Sequence, residues 1–352
     1  MGPSVLVVML TVAPLQVRVL EREHPSSVRV TGTVSCGEAT VPGPVEVTVG
    51  ARELRVGETT CAEVVVTQAT VTVGDVTRTY PGTLRLSLDG ASVRLVDELD
   101  VETYLPSVVE AEAGGQKPAA LEAQAVVSRT FALASRRRHR DYDLCDLSHC
   151  QLFRGTSSDE ASRAAVAKTK GQVLLSGSVA LKPVYFHASC GGHTSSAREV
   201  FGEDSGGPGV SDAEAGSVRC HDAPDFAWSF VLERAKASEA LGGRDDVPVV
   251  EVLRRDEGGR VIELKLFGHR MTGSDFLSRA GRAFGWQALR SAKFQVEEVE
   301  GVVRFTGAGR GHGVGLCQAG AQSLAQRGVD AKGILARYFP DARLADVAGF
   351  TR

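Results

Sequence analysis

This chain shows little sign of a polyanion partner or of a membrane. Lys and Arg number 40 against 43 Asp and Glu, a formal net charge of −3, and only 6% of residues are aromatic. A nucleic-acid surface needs a basic excess to neutralise phosphates, so this balance argues against nucleic acid and against acidic polymers alike. No stretch reaches the roughly 20 apolar residues that span a bilayer. The apolar start, MGPSVLVVMLTVA, has no basic n-region, and Pro14 sits badly just after a cleavage site. Residues 1–14 read as an atypical signal segment for export, with a first buried strand as the alternative. A nucleotide loop is missing too. Gly307–Gly315 is glycine-rich, but it has no Gly-Lys-Ser/Thr and no acidic residue about twenty positions on at the end of a second strand. The 352 residues leave room for one large or two modest domains with a sizeable core.

The organising stretch is Val101–Arg140, VETYLPSVVEAEAGGQKPAALEAQAVVSRTFALASRRRHR, two helical patterns separated by Gly114-Gly115. Val101, Leu105, Val108 and Glu112 recur at helical spacing and share one face, while Glu102, Pro106 and Glu110 fall on another that reads as solvent-facing. A carboxylate closing an apolar stripe at a helix C-terminus loses hydration and meets the negative end of the dipole, so its pKa should rise. That is what a general acid at neutral pH requires. The alternative is a helix that ends at the diglycine with Glu112 turned to solvent. Pro118 opens the second helix, whose alanines admit close backbone approach. Arg129 lies among them and needs a carboxylate or an anionic substrate as partner.

V-x-x-Y-L-x-x-V-V-x-x-E followed by A-L-x-A-Q-A-V-x-x-R-T resembles the stage II sporulation protein D and amidase-enhancer family of cell-wall proteins. The resemblance implies that Glu112 is the catalytic acid of a peptidoglycan lytic transglycosylase.

The β-rich entry region, residues 15–99, precedes the helices. Val17–Leu20, Val28–Val30, Val45–Val49 and Leu84–Leu88 read as strands between turn signals, and the region offers no convergent polar cluster. After the helices, the basic run Arg136–Arg140 reads as a solvated face at a helix C-terminus. Cys145 and Cys150 then lie close to His139 and His149. Two thiolates with one or two imidazoles suit zinc, with His139, Cys145 and Cys150 as ligands and His149 as the alternative, though the spacing is not a standard finger pattern. A Cys145–Cys150 disulfide is the other reading, which export would favour. The phrase C-D-x-x-H-C-Q matches family members that bind zinc near the cleft. Cys36–Cys61 and Cys190–Cys220 are candidate disulfides that leave Cys317 over.

Ser158–Lys170 reads as a short helix capped by Ser157 or Ser158, and Val173–Leu175 and Pro183–His187 as buried strands. They lead into ASCGGHT, and the string F-H-x-x-x-G-G-x-T lines the cleft in the family. Tyr185, His187 and Ser189 are therefore candidate substrate contacts, with core packing as the competing reading for Tyr185 and His187. Residues 202–224 form a Gly/Ser/Asp-rich loop, Trp228 opens a strand, Val249–Phe267 is a hairpin about Asp256–Gly259, and Thr272–Leu289 is a helix. The last motif, G-x-G-H-G-V-G-x-x-Q-x-G-A from Gly309 to Ala321, is the most specific in the family. Only Cys317, usually serine there, departs. It reads as a strand, a glycine turn letting backbone approach a ligand, and a helix over Val314–Arg327. His312 and Gln318 join Arg129 as candidate substrate contacts.

These readings give an α+β fold with β-rich N-terminal and insert regions around a helical catalytic segment. The expected divisions are a signal segment (1–14), the β-rich region (15–99), catalytic helices and cleft strands (100–200), a β-rich insert (201–300), and the Gly-His-Gly loop with C-terminal helices (301–340). A single carboxylate suffices for glycan cleavage if the sugar supplies its own nucleophile, whereas ordinary glycosidases need two. The expected partners are peptidoglycan glycan strands outside the cytoplasm. A non-catalytic enhancer that stimulates a cell-wall amidase is the second reading. A hydrolase working through the Cys/His zinc is the third, disfavoured because such a ligand set would be closed.

Overall fold

The computed structural model describes residues 13–176, 181–214, 217–224, 226–243 and 246–347. The proposed signal segment therefore lies almost wholly outside the described residues. The fold is α+β, as the sequence implies, and divides into two compact units. One holds the described parts of Met1–Gln116, Ser128–Val173 and Leu344–Arg352; the other holds Lys117–Val127 and Leu174–Arg343.

The first unit is built on one large, mainly antiparallel sheet. Its strands are β1 (Leu15–Val19), β2 (Ser27–Cys36), β3 (Ala39–Pro42), β4 (Val45–Val49), β5 (Leu54–Val56), β6 (Thr59–Cys61), β7 (Glu63–Val73), β8 (Val76–Thr79), β9 (Thr83–Asp89), β10 (Ser92–Leu99) and β11 (Leu144–Cys145). The order is β11-β1-β10-β9-β7-β2-β4-β5-β6, with β3 on β2 and β8 on β7. Alternation decides the buried face: Val17, Val28, Val30, Val66, Leu84, Leu86, Val93 and Leu95 all point inward. Cys36 and Cys61 are joined as a disulfide, one of the two pairings expected.

Helix α1 (Val101–Ala113) follows at once, capped by Asp100, whose carboxylate accepts the amides of Glu102 and Thr103. Leu105 and Val108 are buried as the helical spacing requires, joined by Tyr104, Ser107 and Val109. Helix α2 (Pro118–Ala134) starts at Pro118 itself. Helix α3 (Glu160–Lys168) is capped by Asp159, not by Ser157 or Ser158: its Oδ2 takes the Ser162 amide at 2.8 Å. A carboxylate at that position also answers the positive helix terminus, which a hydroxyl does not.

Glu102 departs from expectation. It does not face solvent alone but forks onto the fully buried Arg129, with Nε to Oε1 at 2.8 Å and Nη2 to Oε2 at 2.7 Å. Arg129 also donates to the Gln172 and Val166 carbonyls, at 3.2 and 3.4 Å. A helical wheel sees one helix and cannot see that α2 brings a guanidinium to this face.

The second unit carries its own apolar core of Trp228, Leu241, Val249, Phe276, Phe294, Phe305 and neighbours. Around it lie the antiparallel sheets 227–233/302–308/294–299 and 250–255/261–266/269–272 and the helix Gly273–Phe284. The C-terminal helix of the glycine motif is Gln318–Gln326, four residues shorter at its start than expected. Val314 cannot open it because Gly315 is left-handed (φ +75) and Leu316–Cys317 pairs in parallel with Phe186–His187.

The buried Arg129–Glu102 fork predicts a specific fragility. Glu102→Gln leaves a buried guanidinium without its counter-charge and should cost about 2–4 kcal/mol in urea unfolding, whereas Glu110→Gln should shift the midpoint within error. Equal stabilities would show that the pair does not anchor α1.

Candidate functional site

Glu112 is half-buried near the end of α1, and its Oε1 accepts the Leu152 amide at 2.8 Å. Desolvation raises its pKa, partly opposed by that amide and by the charge of Arg154. The amide belongs to a segment laid along α1. Tyr104 Oη donates to Gln151 Oε1 at 3.2 Å, Leu152 N–H to Glu112, and the Arg154 amide to Ser107 Oγ at 2.9 Å. Gln151 is itself fully buried and donates toward the Ser128 carbonyl at 3.4 Å. Neither Tyr104 nor Gln151 was singled out from sequence as a site residue, though the closing glutamine of C-D-x-x-H-C-Q is the signal that marks the segment.

That segment begins in the Cys/His group. β11 puts Cys145 beside Arg18 of β1, and Asp143 and Asp146 pin the loop by accepting the Gln16 and Leu20 amides at 3.1 and 2.9 Å. His139 Nε2 lies 3.2 Å from Cys150 Sγ, and His149 Nε2 lies 3.1 Å from Cys145 Sγ. One ligand atom from each of the four residues falls within 4.8 Å of all the others. Edges of a tetrahedral zinc site with these donors are about 3.5–3.8 Å, so the set fits a metal. Cys145 and Cys150 are free thiols, not the alternative disulfide, and His149 joins His139 rather than replacing it. The hydrogen bond between the two thiols pushes Cys145 up and Cys150 down, and His139 adds to the drop at Cys150. A thiol held low is halfway to a metal ligand.

The remaining candidate residues, apart from Arg129, lie in the second unit. Tyr185 is buried, its hydroxyl donating to Glu203 and its ring 4.9 Å from Phe201, so it packs as a core residue. His187 is buried with Nδ1 3.0 Å from the Val314 carbonyl, which fixes the proton on Nδ1. Desolvation holds its pKa well below the ordinary value, so the ring is neutral. His312 is half-buried, its ring 5.6 Å from that of His187. Burial brings its pKa down to about 4, with the positive charge of Arg260 adding to the drop. Ser189 and Gln318 are buried, Gln318 Nε2 lying 3.3 Å from Gln124 Oε1. Arg129 lies in the first unit with no exposed surface, its guanidinium taken up by Glu102.

The glycine turn approaches protein and not open space. A Cβ on Gly313 would fall 2.2 Å from the Arg260 guanidinium, and one on Gly315 would fall 2.1 Å from the Tyr185 carbonyl. Cys190 and Cys220 are unbonded, their sulfurs 3.5 Å apart. Sequence reasoning missed Asp212, which converges on them.

Two outcomes follow for the first unit. Raised in the fold, the Glu112 pKa makes the native state hold its proton longer than the unfolded chain does. Stability is therefore lost as pH rises from the ordinary carboxylate value through the raised one. Glu112→Gln, which does not titrate, should gain on wild type in urea midpoint between pH 4 and pH 8. A constant gap would mean that the carboxylate is not desolvated. Separately, Cys145→Ser should abolish metal retained by the Cys/His group and lower the thermal midpoint.

The model of the stage II sporulation protein family matches residues 89–175, from the last strands of the sheet to just past α3. An uncharacterised protein of Brachyspira hyodysenteriae is 28% identical over 285 residues, covering 76% of this chain and 72% of its own. Stage II sporulation protein D of Bacillus amyloliquefaciens is 27% identical over 283 residues, and that of Bacillus subtilis 24% over 276, each covering 72% of this chain and 77% of the relative. Glu112, the Cys/His group and the segment joining them all fall inside the residues matched by the family model, and the chain is similar to stage II sporulation protein D along most of its length.

Proposed function

We propose that the protein is a peptidoglycan lytic transglycosylase acting outside the cytoplasm, with Glu112 as its one catalytic carboxyl. The observation that carries this reading is the desolvated Glu112 carboxyl held against the Leu152 amide. Protonated, Glu112 donates to the oxygen linking N-acetylmuramic acid to N-acetylglucosamine, and that C–O bond breaks. The resulting carboxylate takes the proton of the muramyl C6 hydroxyl as its oxygen bonds to C1. The product is the 1,6-anhydro sugar, no water is consumed, and Glu112 ends protonated as it began. Raised pKa suits the first step, and the Leu152 amide, which favours the charged form, suits the second.

His139, Cys145, His149 and Cys150 would hold zinc. Four protein donors would close the shell, so zinc held there would lend rigidity to the loop entering Gln151–Arg154 and would not serve as a Lewis acid for the sugar. His187, His312, Ser189 and Gln318 are proposed to meet glycan. His187 and His312, both neutral, would act by hydrogen bonding and shape and not by charge.

The test is the product end released from purified glycan strands, with an anhydro end expected and a reducing end fatal to the mechanism. Glu112→Gln should lower the rate by about 10²–10⁴-fold or more while strands still bind. Because the active form is the protonated one, cleavage should fall along an alkaline limb as pH rises through the raised carboxyl pKa. A protein that cleaves nothing alone and only accelerates an added amidase, equally well with Glu112→Gln, would be an enhancer.

A further inference from the structure

A second set of donors closes on itself in the second unit. Cys190, Asp212, Cys220 and Cys317 are all buried, and one ligand atom of each lies within 4.8 Å of the others. We infer that these four residues form a structural zinc site, separate from the Cys/His group.

The distances suit an ion better than a bond between sulfurs. Cys190 Sγ is 3.5 Å from Cys220 Sγ and 3.3 Å from Asp212 Oδ2. A tetrahedron with zinc–sulfur bonds of about 2.3 Å and a zinc–oxygen bond of about 2.0 Å has edges of about 3.5–3.8 Å. A Cys190–Cys220 disulfide would leave the Cys317 thiol and Asp212 Oδ2 without a role, whereas a metal uses all four.

The surroundings are arranged for anionic sulfur. The Gly192 amide points at Cys190 Sγ at 3.3 Å, and the amides of Cys190 and Gly320 point at Cys317 Sγ at 3.3 and 3.4 Å. Cys317 also caps the helix Gln318–Gln326, where the positive helix end favours a thiolate. Asp212 is oriented as a ligand. Its Oδ1 accepts from Tyr338 Oη at 2.9 Å and lies 3.6 Å from Arg219 Nη1, which leaves Oδ2 toward the sulfurs. Three thiolates and a carboxylate without a cation would be prohibitively expensive in a buried space. Arg219 offsets one charge, and a divalent ion offsets two more. Thiolates select soft or borderline ions, and a four-donor closed shell assigns zinc a structural role.

The ion would fasten three pieces of chain. Cys190 lies three residues past His187, Cys317 ends the strand Leu316–Cys317 and pairs with His187, and Asp212 and Cys220 come from the loop 202–224. Zinc would thereby hold the long loop against the two strands on which His187 and the Gly-His-Gly turn depend.

The test uses the full chain carrying Cys145→Ser and Cys150→Ser, so that it does not depend on the first group. Grown with zinc and purified under reductant, it should retain about one equivalent, lost on adding Cys317→Ser. Cobalt exchanged into the retained site should give the near-ultraviolet absorption of thiolate-to-metal charge transfer. A folded chain without metal, or one that keeps its equivalent with Cys317→Ser, overturns the proposal. Should the double variant not fold, the wild-type chain is alkylated without reductant, with and without a chelator. Chelation alone should expose Cys190, Cys220 and Cys317 together. If Cys190 and Cys220 open only to a reductant, or if chelation changes nothing, there is no zinc at these residues.

Discussion

The geometry of this protein's best candidate site turns on a stretch of irregular backbone, Cys150 to Arg154, laid along α1. Two of its amides go to side chains, Leu152 to Glu112 and Arg154 to Ser107, with the Gln151 side chain bonded to Tyr104. A buried backbone amide without a partner costs about 1–3 kcal/mol, so the segment and the carboxyl hold each other in place. The balance at Glu112 is a consequence. Burial favours the neutral acid, the amide favours the carboxylate, and burial is the larger effect. The net result is a carboxyl that holds its proton above the ordinary carboxylate range while keeping a donor ready for its charged form.

Two supports keep the segment where it is. At one end, Cys150 belongs to the four-donor group, so whatever ties those donors together also sets the register of the residues two positions on. At the other, α1 is anchored by Glu102 on a guanidinium with no exposed surface. Buried ion pairs contribute little net stability against an apolar alternative, but they are expensive to break. The fork thus acts less as a source of stability than as a constraint on how α1 and Arg129 are oriented.

Much of this could be read from the sequence. Period-2 alternation gave the strands, Pro118 sat where a helix start belongs, and the spacing of Leu105, Val108 and Glu112 placed that glutamate on the apolar face. What could not be read involves partners distant in sequence. Glu102 looked like a solvent-facing residue because its guanidinium is 27 positions away. Asp212 drew no attention because an aspartate in a Gly/Ser-rich loop ordinarily makes a turn, and only the fold brings Cys190, Cys220 and Cys317 to it. The cysteines were visible but ambiguous. Counting them yields candidate pairs, and it takes coordinates to show that one pair is bonded and two groups of thiols are not.

The glycine motif shows how a sequence signature can be right about a backbone and wrong about what approaches it. Gly309, Gly311, Gly313 and Gly315 all adopt positive φ. The absence of side chains at two of them admits the protein's own groups, the Arg260 guanidinium at Gly313 and the Tyr185 carbonyl at Gly315. Arg260 is fully buried, donates to Ser195 Oγ at 3.0 Å and to the Gly311 carbonyl at 3.2 Å, and its backbone amide donates to Asp256 Oδ1 at 2.7 Å. The turn is therefore wrapped around a cation of the same unit. That cation lowers the pKa of His312 further, in the same direction as burial. A histidine kept neutral in this way can offer a hydrogen bond but cannot be the acid at neutral pH. Within the second unit, then, the motif's histidine is chemically quiet.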